Sequence, residues 1–467
     1  MVRESIAELI AKLHNGKIGR RDFIQRAGIA GLSATLIGQA LSASAGAQGA
    51  TPAASSAATP MPDASSTTIG DASIPHVTDT SKGTIKLYSS WPLTGGMATT
   101  GGDAIAVLKM AIEDFGSAAG GFKLEYEALD DGVAANNGGW EPATESNNAD
   151  KALGDPNAVV YMATYNSGAA KISIPKLNAA TPPLAMISYA NTATGLTKKI
   201  DGVTDPGEPD IYFPSGKRNY CRICPSDDIQ GGAAAKWSYG ERGRRKAYVV
   251  HDNSYYGKGV AAVFRDKFKA AGGEVLGFDG YFQPGGGGNY TALATAIAAK
   301  GPDVVMCGAT VENQPANMLQ AIRDVLTVDV CDFIGSDGQN NTTFVTGAGD
   351  AAEGAYLTFG GFTPDKLLEV GGAGADYVTR AQKLLGHLPD AYAVYAYETA
   401  VVVIQALDKV GEKDRQKILD TLLATKNFHS LLGHTWAFTD TGDTDAAIIG
   451  LSQVKGGNIT FQKPITS

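Results

Sequence analysis

The chain has 467 residues, 43% of them apolar and 19% charged, which describes a foldable globular protein of two or three domains of roughly 150 residues each. Its formal net charge of -9 and its lack of long basic runs argue against sequence-independent nucleic-acid binding, which needs clustered Lys and Arg. No uninterrupted apolar run reaches about 18 residues, so a polytopic membrane protein is excluded. Four cysteines are too few for a disulfide scaffold.

The N-terminus has the three parts of an export signal. The paired Arg20 and Arg21 belong to a basic stretch, a weakly apolar run covers residues 27–41, and small residues at 43–47 form cleavage patterns. This arrangement resembles a twin-arginine (Tat) signal peptide, which we expect to occupy residues 1–47. An amphipathic helix with an accidental arginine pair is the alternative. No cysteine occurs in this part of the chain, so an acyl anchor is not expected.

Residues 48–82 are dominated by Ala, Ser, Thr, Pro and Gly. They hold too few large apolar groups to offset the entropy of ordering, so we expect a disordered linker here. The export signal and the linker together predict a protein delivered to the periplasm or another extracytoplasmic space.

From residue 84 onward, short β-branched or apolar runs alternate with amphipathic helical stretches. The predicted strands of this part are 84–90, 122–129, 158–162, 184–188, 246–251, 274–281, 303–307 and 332–335. The last third predicts helices at 377–385, 391–410 and 414–423, and strands at 435–438, 447–454 and 459–461. Alternating strands and helices imply parallel sheets covered on both faces. The sequence therefore predicts two doubly wound α/β lobes, completed by the last third, with a ligand site between them.

Catalytic and metal-binding patterns are weak in this sequence. The six histidines lie far apart, and Cys221-x-x-Cys224 has no second cysteine pair nearby. In an oxidising compartment a local or cross-lobe disulfide is therefore expected rather than a zinc site. No phosphate-binding G-x-x-x-x-G-K-[ST] and no G-x-S-x-G nucleophile motif occurs. The adjacent Asp130 and Asp131 close a predicted strand, where helix capping explains them. We expect no enzyme activity, no metal and no cofactor.

Polar loops follow the predicted strands. They cover residues 91–95, 164–168, 188–192, 251–257, 308–312 and 335–338. The first three belong to one predicted lobe and the last three to the other. Hydroxyls and main-chain N–H groups at helix N-termini suit a carboxylate, and acids on the opposing lobe suit a cation. The loops together predict a zwitterion held across a cleft, although each alone could be ordinary helix capping.

Several stretches carry a resemblance to a known family. They are residues 85–95 (strand, then Pro-Leu-Thr-Gly), 184–192, 222–234 (RICPSDDIQGGAA), 247–259 (ending HDNSYYGKG), 272–299, 303–318, 333–338 and 350–356 (DAAEGAY). Through them the chain resembles the branched-chain amino acid (Leu/Ile/Val)-binding proteins of ABC transporters. The resemblance implies two Rossmann-like lobes joined by a three-strand hinge, the type I periplasmic binding fold. It also implies a monomer that delivers its solute to ABC permease subunits in the membrane.

Matched residue by residue, the resemblance assigns ten candidate ligand-binding residues. In the family, residues of the first lobe bind the ligand carboxylate. The matching positions in this chain are Tyr165, Asn166, Ser167, Asn191 and Thr192. The second lobe supplies Tyr256, the ammonium-binding acid Asp337, and Thr310 and Glu312 nearby, while Thr100 stands where a ligand-contacting aromatic is common. Tyr165 replaces a small hydroxyl residue and Asp337 is one methylene shorter than the usual Glu. Leucine, isoleucine or valine as the solute therefore does not follow.

The family's crossovers divide the folded chain between the lobes. They place lobe one at residues 83–222 and 360–435, and lobe two at residues 223–359 and 436–467. The leading interpretation is an extracytoplasmic solute-binding protein that closes like a hinge around an amino acid, an amide or a related small polar solute. The alternatives are an exported ligand sensor of the same fold, and an exported enzyme, which the missing nucleophile, metal cluster and nucleotide loop disfavour.

Overall fold

The computed structural model describes residues 68–467, so the predicted signal peptide and the first part of the predicted linker lie outside the described residues. The strands are β1 Thr84–Trp91, β2 Ala118–Ala119, β3 Phe122–Asp130, β4 Ala158–Ala163, β5 Ala185–Ser188, β6 Tyr220–Arg222, β7 Lys246–His251, β8 Glu274–Gly280, β9 Val304–Gly308, β10 Asp332–Gly335, β11 Tyr356–Gly360, β12 Phe428–His429, β13 Thr435–Trp436, β14 Ile449–Lys455 and β15 Asn458–Ile465.

The α-helices alternate with these strands. They are α1 Ala98–Asp114, α2 Pro142–Gly154, α3 Ser167–Asn178, α4 Asp227–Lys236, α5 Tyr255–Ala270, α6 Thr291–Lys300, α7 Pro315–Arg323, α8 Thr342–Ala348, α9 Pro364–Val370, α10 Gly372–Leu385, α11 Ala393–Val410 and α12 Arg415–Leu423. Within residues 68–467, none of the helices has both the length and the apolar character that crossing a membrane requires.

Six strands form the first sheet, in the order β2-β3-β1-β4-β5-β6. All neighbours are parallel except β2, which pairs antiparallel with β3. Every residue of β4 is buried, as expected for a parallel strand covered on both faces. Helix α11 is buried along most of its length and packs against α1, which belongs to this sheet's cover. The sheet and these helices form the first lobe.

Seven strands form the second sheet, in the order β15-β14-β11-β10-β9-β7-β8. The strands β7 to β11 pair parallel with one another, whereas β14 and β15 from the end of the chain add an antiparallel edge beside β11. Helices α4 and α5 pack together, and α5 lies against β7 and β9. The second sheet and its helices form the second lobe. The prediction of two α/β lobes is therefore confirmed.

The chain passes between the two sheets three times: after β6, after β11, and between β13 and β14. The guanidinium of Arg222, at the first passage, is fully buried and pairs with Asp443 in the third passage, with Nε 2.6 Å from Oδ1. Arg222 also donates to the carbonyl of Asn191 at 3.0 Å. At the second passage the carbonyl of Gly360 accepts the Tyr395 hydroxyl at 2.6 Å. Buried polar bonds therefore fix all three passages.

The last part of the predicted linker, residues 68–82, differs from the disorder that its composition predicts. Gly70 and His429 exchange main-chain hydrogen bonds of 2.9 and 3.2 Å. The His76 ring nitrogen Nδ1 lies 2.8 Å from Asp408 Oδ2 on α11. These polar contacts with the first lobe replace the apolar burial that the segment's own side chains cannot supply.

The expectation of a disulfide, either local or between the lobes, is wrong, because all four cysteines are free thiols and all are buried. The two sulfurs face different main-chain carbonyls. Cys221 Sγ lies 3.9 Å from the Met186 oxygen, and Cys224 Sγ lies 3.5 Å from the Asn191 oxygen. Burial raises the pKa of both thiols well above the ordinary value, so neither is a reactive thiolate.

Candidate functional site

A small cavity lies between the lobes, beyond the carboxyl ends of β4, β5, β7, β9 and β10. The first lobe lines it with Tyr165, Asn166, Ser167, Ala190, Thr192 and Tyr392, and the second with Tyr256, Thr310, Asp337 and Gly338. The space open to the centre of a water molecule is about 10 Å³, which holds about one water. The two lobes are therefore closed on each other around a polar centre, which we call the central cavity, and they have to separate further to hold a solute larger than water.

The first lobe presents the N-terminus of α3 to the central cavity. The first N–H groups of a helix have no intrahelical partner, and the helix dipole makes this end attractive to an anion. Ser167, the first residue of α3, accepts the Ala193 N–H on its Oγ at 3.2 Å, which holds the next loop against the helix. Thr192 lies in that loop, and its carbonyl accepts the Asp227 N–H at 2.8 Å. This side of the cavity suits a carboxylate.

The second lobe contributes Asp337, which follows β10 and is buried. Its Oδ1 accepts Gln230 Nε2 at 2.6 Å and the Tyr256 hydroxyl at 2.5 Å, while Oδ2 accepts the Tyr392 hydroxyl. The Asp337 N–H in turn donates to Gln230 Oε1 at 2.9 Å. Burial raises the pKa of Asp337, and the hydrogen bonds from Tyr256, Tyr392 and Gln230 oppose this rise. Because Tyr392 belongs to the first lobe, its bond to Asp337 crosses the cleft.

A second buried bond joins the lobes at Asn166 and Glu312. Asn166 precedes α3, and its Nδ2 donates to Glu312 Oε1 at 2.9 Å. Burial raises the pKa of Glu312 to about 7. The side-chain oxygen of Asn166 has no hydrogen-bond partner among the described residues. An acceptor on the cavity wall therefore remains for a solute N–H.

Seven of the ten residues predicted for the ligand site line the central cavity: Tyr165, Asn166, Ser167, Thr192, Tyr256, Thr310 and Asp337. Glu312 reaches it through its bond to Asn166. Asn191 lies behind the wall, because its Nδ2 donates to the carbonyls of Thr164 and Tyr165 at 2.8 and 3.0 Å. Thr100 lies outside it, on α1, where its hydroxyl donates to Asp390 Oδ2 at 3.0 Å.

Tyr392 is the wall residue that the sequence analysis missed. It lies 55 positions beyond Asp337 and precedes α11, so no strand end marks it. Its ring makes edge contacts with Tyr165 and Phe359, at centroid distances of 5.8 and 5.1 Å. An aromatic residue just before a long apolar helix is the signal that could have suggested it.

The titratable groups of the site do not form a metal centre. Within residues 68–467, no three His, Cys, Asp or Glu side chains are arranged to hold a metal ion. Neither Lys, Arg nor His lines the central cavity in this part of the chain. The wall of the central cavity therefore offers hydroxyls, amides and carboxylates, which can hydrogen-bond a polar solute.

Two α/β lobes closed on a polar cavity define a protein of the two-lobed binding class. A family model described as periplasmic binding protein matches residues 84–458. The chain belongs to this family.

Relatives with curated names fall in the same class. The chain is 27% identical over 293 residues to Leu/Ile/Val-binding protein homolog 1 of Brucella abortus (strain 2308), covering 62% of this chain and 74% of the relative. It is 26% identical over 376 residues to the Leu/Ile/Val-binding protein BraC3 of Rhizobium johnstonii, covering 79% of this chain and 91% of the relative.

Solved structures share the fold at lower identity. The leucine binding protein LivK from Thermotoga maritima superposes with a TM-score of 0.68 at 21% identity, over 82% of this chain and 98% of that one. LivJ from Streptococcus pneumoniae in complex with isoleucine gives 0.68 at 20% identity, over 82% and 100%. A solute binding protein from R. palustris in complex with benzoate gives 0.66 at 18% identity, over 82% and 97%. The ligands of these neighbours differ, so the fold alone leaves the solute open.

Proposed function

We propose that the chain is an extracytoplasmic, monomeric solute-binding protein of an ABC importer. It closes its lobes around an amino acid or a related small polar solute and delivers it to the permease in the membrane. The observation that carries this proposal is the central cavity, which is polar, lies between two lobes and is spanned by buried bonds from Asn166 and Tyr392. The names of the relatives, which are Leu/Ile/Val-binding proteins, support the same function.

The two sides of the central cavity suit opposite ends of a zwitterion. The N-terminus of α3 and the hydroxyl of Thr192 suit the carboxylate. The carboxylate of Asp337 suits the ammonium, and it has about four acceptor positions, of which three are occupied by protein donors. About one position therefore remains for a solute N–H, and Asn166 Oδ1 offers a second acceptor.

Asp337 provides the first test. A thermal-shift screen against amino acids, amides, urea and aromatic acids identifies the solute, because a ligand that binds the folded form raises the melting temperature. Removing one member of a desolvated charge pair costs roughly 2–5 kcal/mol. We therefore expect Asp337→Ala to weaken solute binding by more than about thirtyfold. The control is Asp376→Ala, since Asp376 is exposed on α10. Unchanged affinity in Asp337→Ala would show that the solute has no donor at this acid.

We further propose that the chain reaches its compartment through the twin-arginine pathway. Replacing Arg20 and Arg21 with Lys is expected to leave the uncleaved precursor in the cytoplasm. Solute binding by the purified variant should be unaffected. Normal secretion of the double variant would contradict this route.

We also propose that residues 83–222 with 360–435 move as one body, and residues 223–359 with 436–467 as the other. The three passages between the sheets would then act as the hinge, and solute held between the lobes would favour the closed form. Spin labels at Lys109→Cys on α1 and Lys269→Cys on α5 test this motion, since the four native cysteines are buried. A distance distribution that does not change when the solute binds would place the solute within one lobe.

A further inference from the structure

A second and larger cavity lies beside the central one, and we call it the side groove. It offers about 390 Å³ to the centre of a water molecule, a volume typical of small-molecule sites. The first lobe lines it with Asp103 of α1 and with Asp390, the second with Thr346 of α8 and Ile459 of β15, and the second passage with Thr363. Both lobes and a connection between them therefore enclose the side groove.

Two adjacent carboxylates give the side groove its charge. The Asp390 N–H donates to Asp103 Oδ2 at 2.9 Å, so the two side chains share one corner of the groove. Asp103 is only 4% exposed. The nearest basic side chain is His387, whose half-exposed ring has Nε2 at 3.5 Å from Asp103 Oδ1. Neither Lys nor Arg lines the groove within residues 68–467, while Asp365 adds a third acid.

The burial of these acids without a full counter-charge is unfavourable. Two carboxylates taken out of water beside each other favour either a bound proton or a nearby cation. Burial, followed by the charge of Asp103, raises the pKa of Asp390 to about 6. At neutral pH the groove therefore keeps uncompensated negative charge next to its apolar residues Val345, Pro389 and Ile459.

An independent observation also points to a ligand. Thr363 lines the groove at the second passage, is 3% exposed, and its hydroxyl has no hydrogen-bond partner in the described part of the chain. A buried hydroxyl is rarely left without a partner. Negative charge, an unpaired hydroxyl and apolar walls together match a molecule that has a positively charged N–H group and a short alkyl chain.

We propose that the side groove is a second binding site, which takes a small organic ammonium ion. Its N–H groups bind Asp103 and Asp390, and its alkyl part lies on Val345 and Ile459. A metal ion suits the site less well, because each acid already accepts a protein donor and no third metal ligand converges on them among the described residues.

The side groove is connected to the central cavity through Tyr392. The Tyr392 N–H donates to Asp390 Oδ1 at 2.9 Å, and its hydroxyl donates to Asp337. An ammonium ion in the groove contacts both lobes, so it favours their closed arrangement. Its binding should therefore strengthen, and not compete with, binding of a solute in the central cavity.

Calorimetry with 1,4-diaminobutane tests the proposal, and 1,4-butanediol, which has the same length without charge, is the matched ligand control. The full exported chain should bind the diamine and not the diol. Asp103→Asn with Asp390→Asn should weaken diamine binding at least tenfold, whereas Asp376→Asn, on an exposed position of α10, should leave it unchanged.

A second variant tests the same site independently, in case the double variant does not fold. Thr346 lines the groove and is exposed on α8, so Thr346→Trp adds bulk to the groove, keeps both carboxylates, and is expected to abolish diamine binding. Three results would overturn the proposal: no diamine binding, equal binding by the Asn and Trp variants, or displacement of the diamine by the central solute. Failure of the solute-binding function would show separately, through Asp337→Ala.

Discussion

The bond between Tyr392 and Asp337 makes the most direct prediction about lobe closure. Tyr392→Phe removes one hydroxyl that donates across the cleft and leaves the packing of the ring unchanged. Hydrogen bonds to charged groups contribute about 1.5–3 kcal/mol. Asp337 keeps its bonds from Gln230 and Tyr256, so the variant does not strand a buried charge. The variant therefore loses the free energy of one hydrogen bond. This loss corresponds to roughly a 10- to 150-fold change in the equilibrium constant for lobe closure.

We expect the lower end of this range, because Gln230 and Tyr256 still donate to Asp337 and share its charge. Closure is part of the binding free energy, so calorimetry should show solute affinity reduced about tenfold. Tyr397→Phe is the matched control. Its hydroxyl, on α11, donates to Asp114 Oδ2 at 2.6 Å within the first lobe, so its removal should lower the free energy of unfolding and leave solute affinity unchanged. Equal affinity in Tyr392→Phe and the unmodified chain would refute a role for this bond in closure.

Two further predictions concern stability. Asp443→Asn leaves the buried Arg222 without its counter-charge, so it should lower the free energy of unfolding, measured in urea, by roughly 3–5 kcal/mol. The control is Glu412→Gln, which removes an exposed pair with Lys417 and should lower the free energy of unfolding by less than about 1 kcal/mol. Burial raises the pKa of Glu398 from 4.5 to about 7, so the folded chain binds a proton that the unfolded chain releases between these values. The melting temperature should fall as pH rises through this window, and Glu398→Gln should flatten the profile.

The fold was predictable because parallel strands that are buried on both faces consist of short runs of apolar residues. The strand predicted at 158–162 is β4, Ala158–Ala163, almost residue for residue. Helix starts were less accurate. The helix predicted at 377–385 begins at Gly372, because the small residues from Gly372 to Ala375 carry no amphipathic pattern.

The wall of the candidate site was predictable where side chains follow strands, and not elsewhere. Asp337 and Thr310 come directly after β10 and β9, and the topology of parallel sheets brings such positions to one edge. Tyr392 reaches the same cavity from the start of a helix in the other lobe, a position set by how α11 packs on α1. Thr100 lies outside the cavity, where its hydroxyl bonds to Asp390. This partner is 290 positions distant in the sequence, so no local pattern reveals it.

We expect Glu312 to make lobe closure depend on pH, and the sign of this dependence follows from its burial. In the closed form, burial raises its pKa from 4.5 to about 7, whereas an open cleft would return this carboxyl to water and towards its ordinary value. The closed form therefore binds a proton more readily than the open form between these values, and acidification from pH 8 towards pH 5 should favour closure. Asp337 and Asp390, whose pKa values are also raised by burial, act in the same direction.

Glu312→Gln separates this effect from the hydrogen bond itself. The amide oxygen of the variant can still accept the Asn166 N–H, but it cannot be deprotonated. Spin-label distances between the lobes should shorten on acidification of the unmodified chain, and this pH response should be smaller in the variant. A closed population that increases with rising pH would mean that the charged Glu312–Asn166 bond outweighs desolvation, which would reverse the assignment of burial as the dominant cause.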